Sequence, residues 1–310
     1  MTALEAVAVC LPPADVAIEQ VGQALGLTPR QTTLFRRFHG LDRVRLDPDG
    51  TLADLLLGAA AALEPLRGRE HLVRYVLFAR SAPVSVPYPH NPVHEVCDKL
   101  GLGHAVSFSV THHACAVGLL AVDLAGRLLA DDPDPQALAL VLAGEKAFTR
   151  DGKMIPETAI CGEVSTACLV RSGGGRDRML SYATIQRGEF DGRLAEDPLL
   201  LARFQQVFSD SMVEVILGAL DQAGLTLADV DLILPHNVNR ISWRRVCKLL
   251  DYPLEKVLLD NVAVTGHCFG ADVFVNYQTA VGQGRLRPGD RYLAASAGVG
   301  AVFSAMVFEH

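Results

Sequence analysis

The chain has 310 residues, half of them hydrophobic and 20% charged. That excludes a disordered or fibrous polymer, because enough apolar surface is present to offset the entropy of ordering. Lys plus Arg number 28 against 35 Asp plus Glu, a formal charge of −7 with no basic block, which argues against a nucleic-acid partner and against an anionic membrane surface.

No apolar run approaches the roughly 20 residues that a bilayer requires. Met1–Pro12 carries Glu5 and no basic segment, so the expectation is a cytoplasmic chain with no signal peptide. The pattern then predicts, in order, a strand at Leu4–Cys10, a helix at Ala17–Leu25 stopped by Gly26, and a basic irregular stretch at Arg30–Arg43. A helix follows at Thr51–Leu66 and a buried strand at Leu72–Phe78. Pro83, Pro87, Pro89 and Pro92 mark a loop, with a short helix at Val93–Leu100 after it. Next come a strand at Val106–Val110, a strong helix at Ala114–Leu129, and strands at Ala137–Leu142, Ile160–Val170 and Leu180–Ile185. A long helix at Leu201–Ala223 precedes a strand at Val230–Leu234, a helix at Trp243–Leu250 and a strand at Val257–Leu259. The chain closes with a helix at Gly270–Gly282, a strand at Arg291–Ser296 and the segment Ala301–Phe308.

Alternating strands and helices, with no Pro/Gly/Ser-rich linker, predict an α/β fold. The element order also repeats. Strands near Leu72, Val106 and Ala137 match strands near Val230, Val257 and Arg291, roughly 155 residues on, as expected for a duplicated βα unit.

Seven scattered cysteines without a CxxC pair exclude a zinc ribbon or a redox dithiol. Most read as small buried hydrophobes. Cys115, in Thr111-His112-His113-Ala114-Cys115-Ala116-Val117-Gly118, differs because it falls where a strand feeds a helix. The positive end of the helix dipole there favours a thiolate, and small neighbours leave room for a substrate. His236, in Pro235-His236-Asn237-Val238-Asn239, lies just past a strand end, where open α/β folds place their sites. His267 sits between Gly266 and Gly270 at another strand-to-helix turn. Ala297-Gly298-Val299-Gly300 follows a strand and would offer backbone N–H groups to a substrate oxygen. His112 and His113 read as loop-positioning residues. His90 and His94 lie in the proline loop with no second cluster, so no metal site is expected.

The ordered set of Cys115, then His236 in Pro-His-x-x-Asn, then Gly266-His267, then Gly298-x-Gly300 resembles the ketoacyl synthase III family of the thiolase superfamily over nearly the whole chain. Gly162-Glu163-Val164-Ser165 and Gly284–Asp290 also resemble family landmarks. The resemblance implies a five-layered αβαβα sandwich of two βα halves, residues 1–170 with the nucleophile and 171–310 with the two histidines, and a homodimer. It implies a ping-pong acyltransferase. Cys115 would take an acyl group from a thioester, and His236 and His267 would bind a malonyl-type thioester for decarboxylative condensation. Gly298, Gly300 and Asn239 would position the substrate. No cofactor is implied beyond the phosphopantetheine of an acyl carrier protein or the coenzyme A that the substrate carries.

Two departures point to a specialised pathway. The family's Asn is His267 here, which keeps open the alternative of plain acyl transfer to an alcohol, amine or carrier thiol, with His236 as general base. The family's adenine-stacking Trp is missing from Thr28–Leu34, where Arg30, Arg36 and Arg37 would meet an acidic carrier or coenzyme A instead. The loop at Val86–Pro89 is a candidate wall of the acyl pocket.

Overall fold

The computed structural model describes the chain except residues 83–85, 87–88, 149 and 191–196; of 150 and 151 only the backbone is described. The expectation for Val86–Pro89 therefore falls mostly outside the described residues.

Nine strands form one hydrogen-bonded sheet. In spatial order they are Leu232–Pro235, Arg291–Gly298, Val302–Glu309, Arg178–Gln186, Thr2–Cys10, Ser165–Ser172, Leu138–Ala143, Val73–Ala79 and Val106–Val110. The sheet contains the same arrangement twice. Val73–Ala79 runs parallel to Val106–Val110 and to Leu138–Ala143, which pairs antiparallel with Ser165–Ser172, and that strand with Thr2–Cys10. Likewise Leu232–Pro235 runs parallel to Arg291–Gly298, which pairs antiparallel with Val302–Glu309, and that strand with Arg178–Gln186. The two arrangements join where Ala3 faces Arg178.

Strand alternation then builds the layers. Val76, Phe78, Leu138, Leu140 and Leu142 face an outer core under helices Leu52–Ala61 and Pro92–Lys99. Their neighbours Leu77, Ala79, Ala139, Val141 and Ala143 face a middle core, which Leu232, Leu234, Tyr292 and Ala294 enter from the other half-sheet. Helices Val117–Asp131 and Asp272–Gly282 fill that middle layer. Ile233, Leu293 and Ala295 face a third core under helices Pro198–Ala223 and Arg240–Leu250. The outcome is the expected αβαβα order. The middle helices approach closely enough that a Cβ on Gly118 would collide with the Gly270 carbonyl oxygen.

Several predicted elements need correction. Ala14–Ala17 is a strand paired with Arg43–Leu46, so the first helix begins at Ile18. The stretch read as irregular holds a helix at Pro29–Thr33 and a π-helical turn at Leu34–His39. Thr28 and Gln31 form a capping box, with Pro29 at the first helical position. The single strand expected at Ile160–Val170 is two, Ala159–Ile160 and Ser165–Ser172, because the backbone between them turns to bond elsewhere: Gly162 N–H donates to the His267 carbonyl and Glu163 N–H to the Arg45 carbonyl. Val257–Leu259 is not a strand; Val257 makes an isolated parallel bridge to Ile233 in the place that Val106–Val110 fills in the first half.

Candidate active site

The nucleophile turn is built under strain. His112 and Ala114 take positive φ values of 71° and 42°, costly for residues with a Cβ, and a short 3-10 turn at Ala114–Ala116 leads into the middle-layer helix. Two contacts hold it. Ser296 Oγ donates to the Cys115 carbonyl at 2.8 Å, and Gly298 lies so near His113 that a Cβ there would strike the His113 carbonyl oxygen. Cys115 is buried and lines a cavity of about 560 Å³.

His267 Nε2 lies 3.1 Å from Cys115 Sγ. Its Nδ1 lies 2.6 Å from Asp272 Oδ2, so Nδ1–H donates to the carboxylate and Nε2 is left for the sulfur. Asp272 is itself fixed: it accepts from Cys268 N–H at 2.7 Å and from Asn237 N–H at 2.6 Å. Both His267 and Asp272 are buried. Burial disfavours a charged His267, but the facing Cys115 sulfur, the Asp272 carboxylate and the hydrogen bonds to both outweigh it and push the imidazole pKa up to about 10. Cys115, His267 and Asp272 therefore form a nucleophile, base and orienting acid in line.

His236 lines the same cavity, its ring centroid 6.4 Å from that of His267. Its backbone is clamped: its N–H donates to the Ala295 carbonyl at 2.9 Å, and its carbonyl accepts Trp243 Nε1–H at 3.1 Å. Phe208 and Trp243 flank the ring, and neither ring nitrogen has a partner among the described residues. Burial, then the neighbouring His267, lowers its pKa to about 4, so it stands neutral.

The other expected site residues divide. Gly298 and Asn239 line the cavity; Gly300 does not. The Asn239 side chain is occupied, accepting from Ser242 N–H as a helix cap and donating to the Thr158 carbonyl. Arg30, Arg36 and Arg37 are exposed and outside the cavity wall, and Arg36 is paired with Glu19 and Asp42. Cys161 and Cys268 lie beside the site, but burial pushes both thiols up, as expected of inert core cysteines. Among the described residues, no cluster of three or more His, Cys, Asp or Glu could hold a metal, and no helix is long and apolar enough to cross a membrane.

Asp272 escaped the sequence reading. Alone it looks like an ordinary acidic residue in a helix first turn; its spacing of five from His267 across a glycine-containing turn was the available signal.

Residues 220–310 match the family described as 3-oxoacyl-(acyl-carrier-protein) synthase III C terminal. A beta-ketoacyl-(acyl-carrier-protein) synthase III of Thermosynechococcus vestitus is 25% identical over 296 residues, covering 84% of each chain. Among solved structures, the 3-oxoacyl-(acyl-carrier-protein) synthase III of Aquifex aeolicus superimposes with a TM-score of 0.85 over 100% of both chains at 19% identity. ChlB3, an acyltransferase, does so with a TM-score of 0.85 over 99% of this chain and 97% of its own, at 22% identity.

Proposed function

We propose that the chain is a ketoacyl synthase III-like acyltransferase of the thiolase superfamily, one that carries an acyl group on Cys115 and hands it to a protic acceptor. The observation that carries this reading is Asp272 behind His267. A buried carboxylate on the far nitrogen of an imidazole stabilises positive charge developing on that ring. Such charge develops when Nε2 takes a proton from an attacking hydroxyl, amine or thiol. The same carboxylate opposes an enolate forming close by.

The sequence of events balances on these residues alone. His267 Nε2 takes the Cys115 proton as the sulfur attacks the thioester carbonyl. The tetrahedral intermediate collapses, and the departing thiolate takes the proton from His267. The acceptor then enters, His267 removes its proton as the new bond to the acyl carbon forms, and that proton returns to the Cys115 sulfur as it leaves. The strained turn at Ala114–Ala116 and the backbone at Gly298 are the proposed surroundings of the oxyanion.

Decarboxylative condensation with a malonyl-type thioester, in a specialised pathway, is the second reading. The synthase names of the relatives favour it, as does the pairing of His236 with His267, two rings that would both donate to an enolate oxygen. A carrier-protein thioester is the proposed donor. Leu34 lines the cavity in the segment that lacks the family's Trp, and exposed Arg30 and Arg37, which make no ion pair among the described residues, are available to an acidic partner.

The test is intact-protein mass spectrometry with a panel of acyl thioesters, followed by assay of labelled carbon dioxide from malonyl-type thioesters. The proposal expects an acyl adduct on Cys115 and no carbon dioxide. Release of carbon dioxide together with a carbon–carbon product establishes condensation in its place.

A further inference from the structure

Outside the Cys115 constellation, the cavity wall carries a second buried histidine. His39 is 7% exposed and lines the cavity. Neither ring nitrogen has a hydrogen-bond partner among the described residues; Nδ1 is sealed from solvent, which leaves Nε2 as the nitrogen open to the cavity. The ring is not a loose surface group. It ends the π-helical turn Leu34–His39, where the wider spiral displaces side chains from their usual rows. Phe35 meets it edge-on at 5.4 Å, and the following Gly40 packs against the Arg240 side chain. Burial lowers its pKa, only partly countered by Glu157, so the ring is neutral. A ligand group that pairs with the open Nε2 gains a hydrogen bond for which the ring has no competing partner among the described residues.

We propose that His39 is a substrate-binding residue whose Nε2 hydrogen-bonds a neutral amide or hydroxyl group of the molecule that reaches Cys115. The proposal rests on the acyl-transfer reading of that site. Apart from His267 beside Cys115, Glu157 and Arg245 are the charged side chains in the described cavity wall, and the rest is apolar or neutral polar, including Thr158, Gln205 and Ser209. A neutral imidazole in that wall is suited to an uncharged polar group and gives no advantage to a phosphate or carboxylate. The group would belong either to the arm that bears the thioester or to the acceptor.

His39→Phe and His39→Gln, made in the full chain, separate these sources. Phe keeps the ring against Phe35 and removes both nitrogens; Gln restores a donor and an acceptor. Acylation of Cys115 is followed with acetyl-coenzyme A, whose arm has amides and a hydroxyl, and with S-phenyl thioacetate, which has neither. Transfer from acetyl-Cys115 is followed with glycerol and with methanol, whose single hydroxyl is the one that reacts. The expected result for His39→Phe is a KM about tenfold higher for acetyl-coenzyme A if the donor arm is read, or for glycerol if the acceptor is read. In either case kcat stays within about twofold, the simple partners are unaffected, and His39→Gln recovers most of the loss. Unchanged KM for both polar partners overturns the proposal, as does a parallel fall in kcat with all four. Absence of acylation in the wild type would instead sink the acyl-transfer reading. Calorimetric binding of acetyl-coenzyme A and of glycerol then still decides the role of His39, since a weaker Kd for either in His39→Phe supports it and equal values overturn it.

Discussion

Asp272 carries the heaviest burden for a residue that makes no contact with the sulfur. Replacing it by Asn keeps the shape but lets the amide donate to Nδ1 of His267, so that a protonated Nε2 faces the sulfur and cannot accept a proton. The expected loss of turnover is about 10²–10⁴-fold, while Cys115→Ala removes the acyl adduct outright; time-resolved mass spectrometry of the adduct distinguishes the two. The two histidines also predict how stability depends on pH. His267 is held at about 10, above its unfolded value of 6.5, so its contribution is complete below pH 6.5 and is lost as pH rises through about 10. His236 is held at about 4, so its contribution is complete above pH 6.5 and is lost as pH falls through about 4. Each limb amounts to a few kcal/mol, at about 1.4 kcal/mol for every tenfold change in proton affinity. Denaturant titrations from pH 4 to 10 should show greatest stability near pH 6.5, with the alkaline limb flattened in His267→Gln and the acid limb in His236→Asn. Of these residues the sequence disclosed Cys115, His236 and His267, because each stands at a strand end in a distinctive setting. It concealed Asp272, whose meaning depends on the ring that it touches.

The elements were legible wherever the hydrophobic period was uninterrupted. The strand Leu138–Ala143, six buried residues in a row, and the helix Arg240–Leu250, with Trp243, Val246, Cys247 and Leu250 on one face, lie within a few residues of where periodicity puts them. Legibility failed where side chains close local loops. The capping box at Thr28 and the π-helical turn after it carry little apolar period, and Val257 pairs through a single bridge, too brief for pattern to distinguish from a strand. The nucleophile turn gives the prediction at this scale. Gly298→Ala forces its methyl against the His113 carbonyl oxygen. Both partners are backbone-fixed, so relief must come from the strained turn that holds Cys115. The expected cost is about 1–3 kcal/mol of stability, with a loss of acylation rate larger than that of a core substitution of equal cost such as Ile216→Val. Comparing the two variants by denaturation and by adduct formation checks it.

At the level of the whole molecule, the strand Val106–Val110 ends the sheet. Its outer edge is unpaired among the described strands, and it exposes Val106 and Phe108 at 60% and 37%. Such an edge invites a second copy of itself. The expected species is a homodimer, and Phe108→Glu with Val106→Lys should halve the mass seen by light scattering. A wild-type chain that elutes as a monomer at micromolar concentration would refute this. The internal repeat has a further consequence. Cys115 and His267 hold equivalent places in the two arrangements, each after the strand or bridge that flanks the parallel pair and before the middle-layer helix, with Gly118 and Gly270 touching beside them. Two identical halves would bring two sulfurs together, or two imidazoles, and neither pair can exchange a proton in the required sense. Joining the halves in one polypeptide is what allows the matching positions to be spelled differently, so that the 3.1 Å contact between Sγ and Nε2 is a broken symmetry and each half is mute without the other.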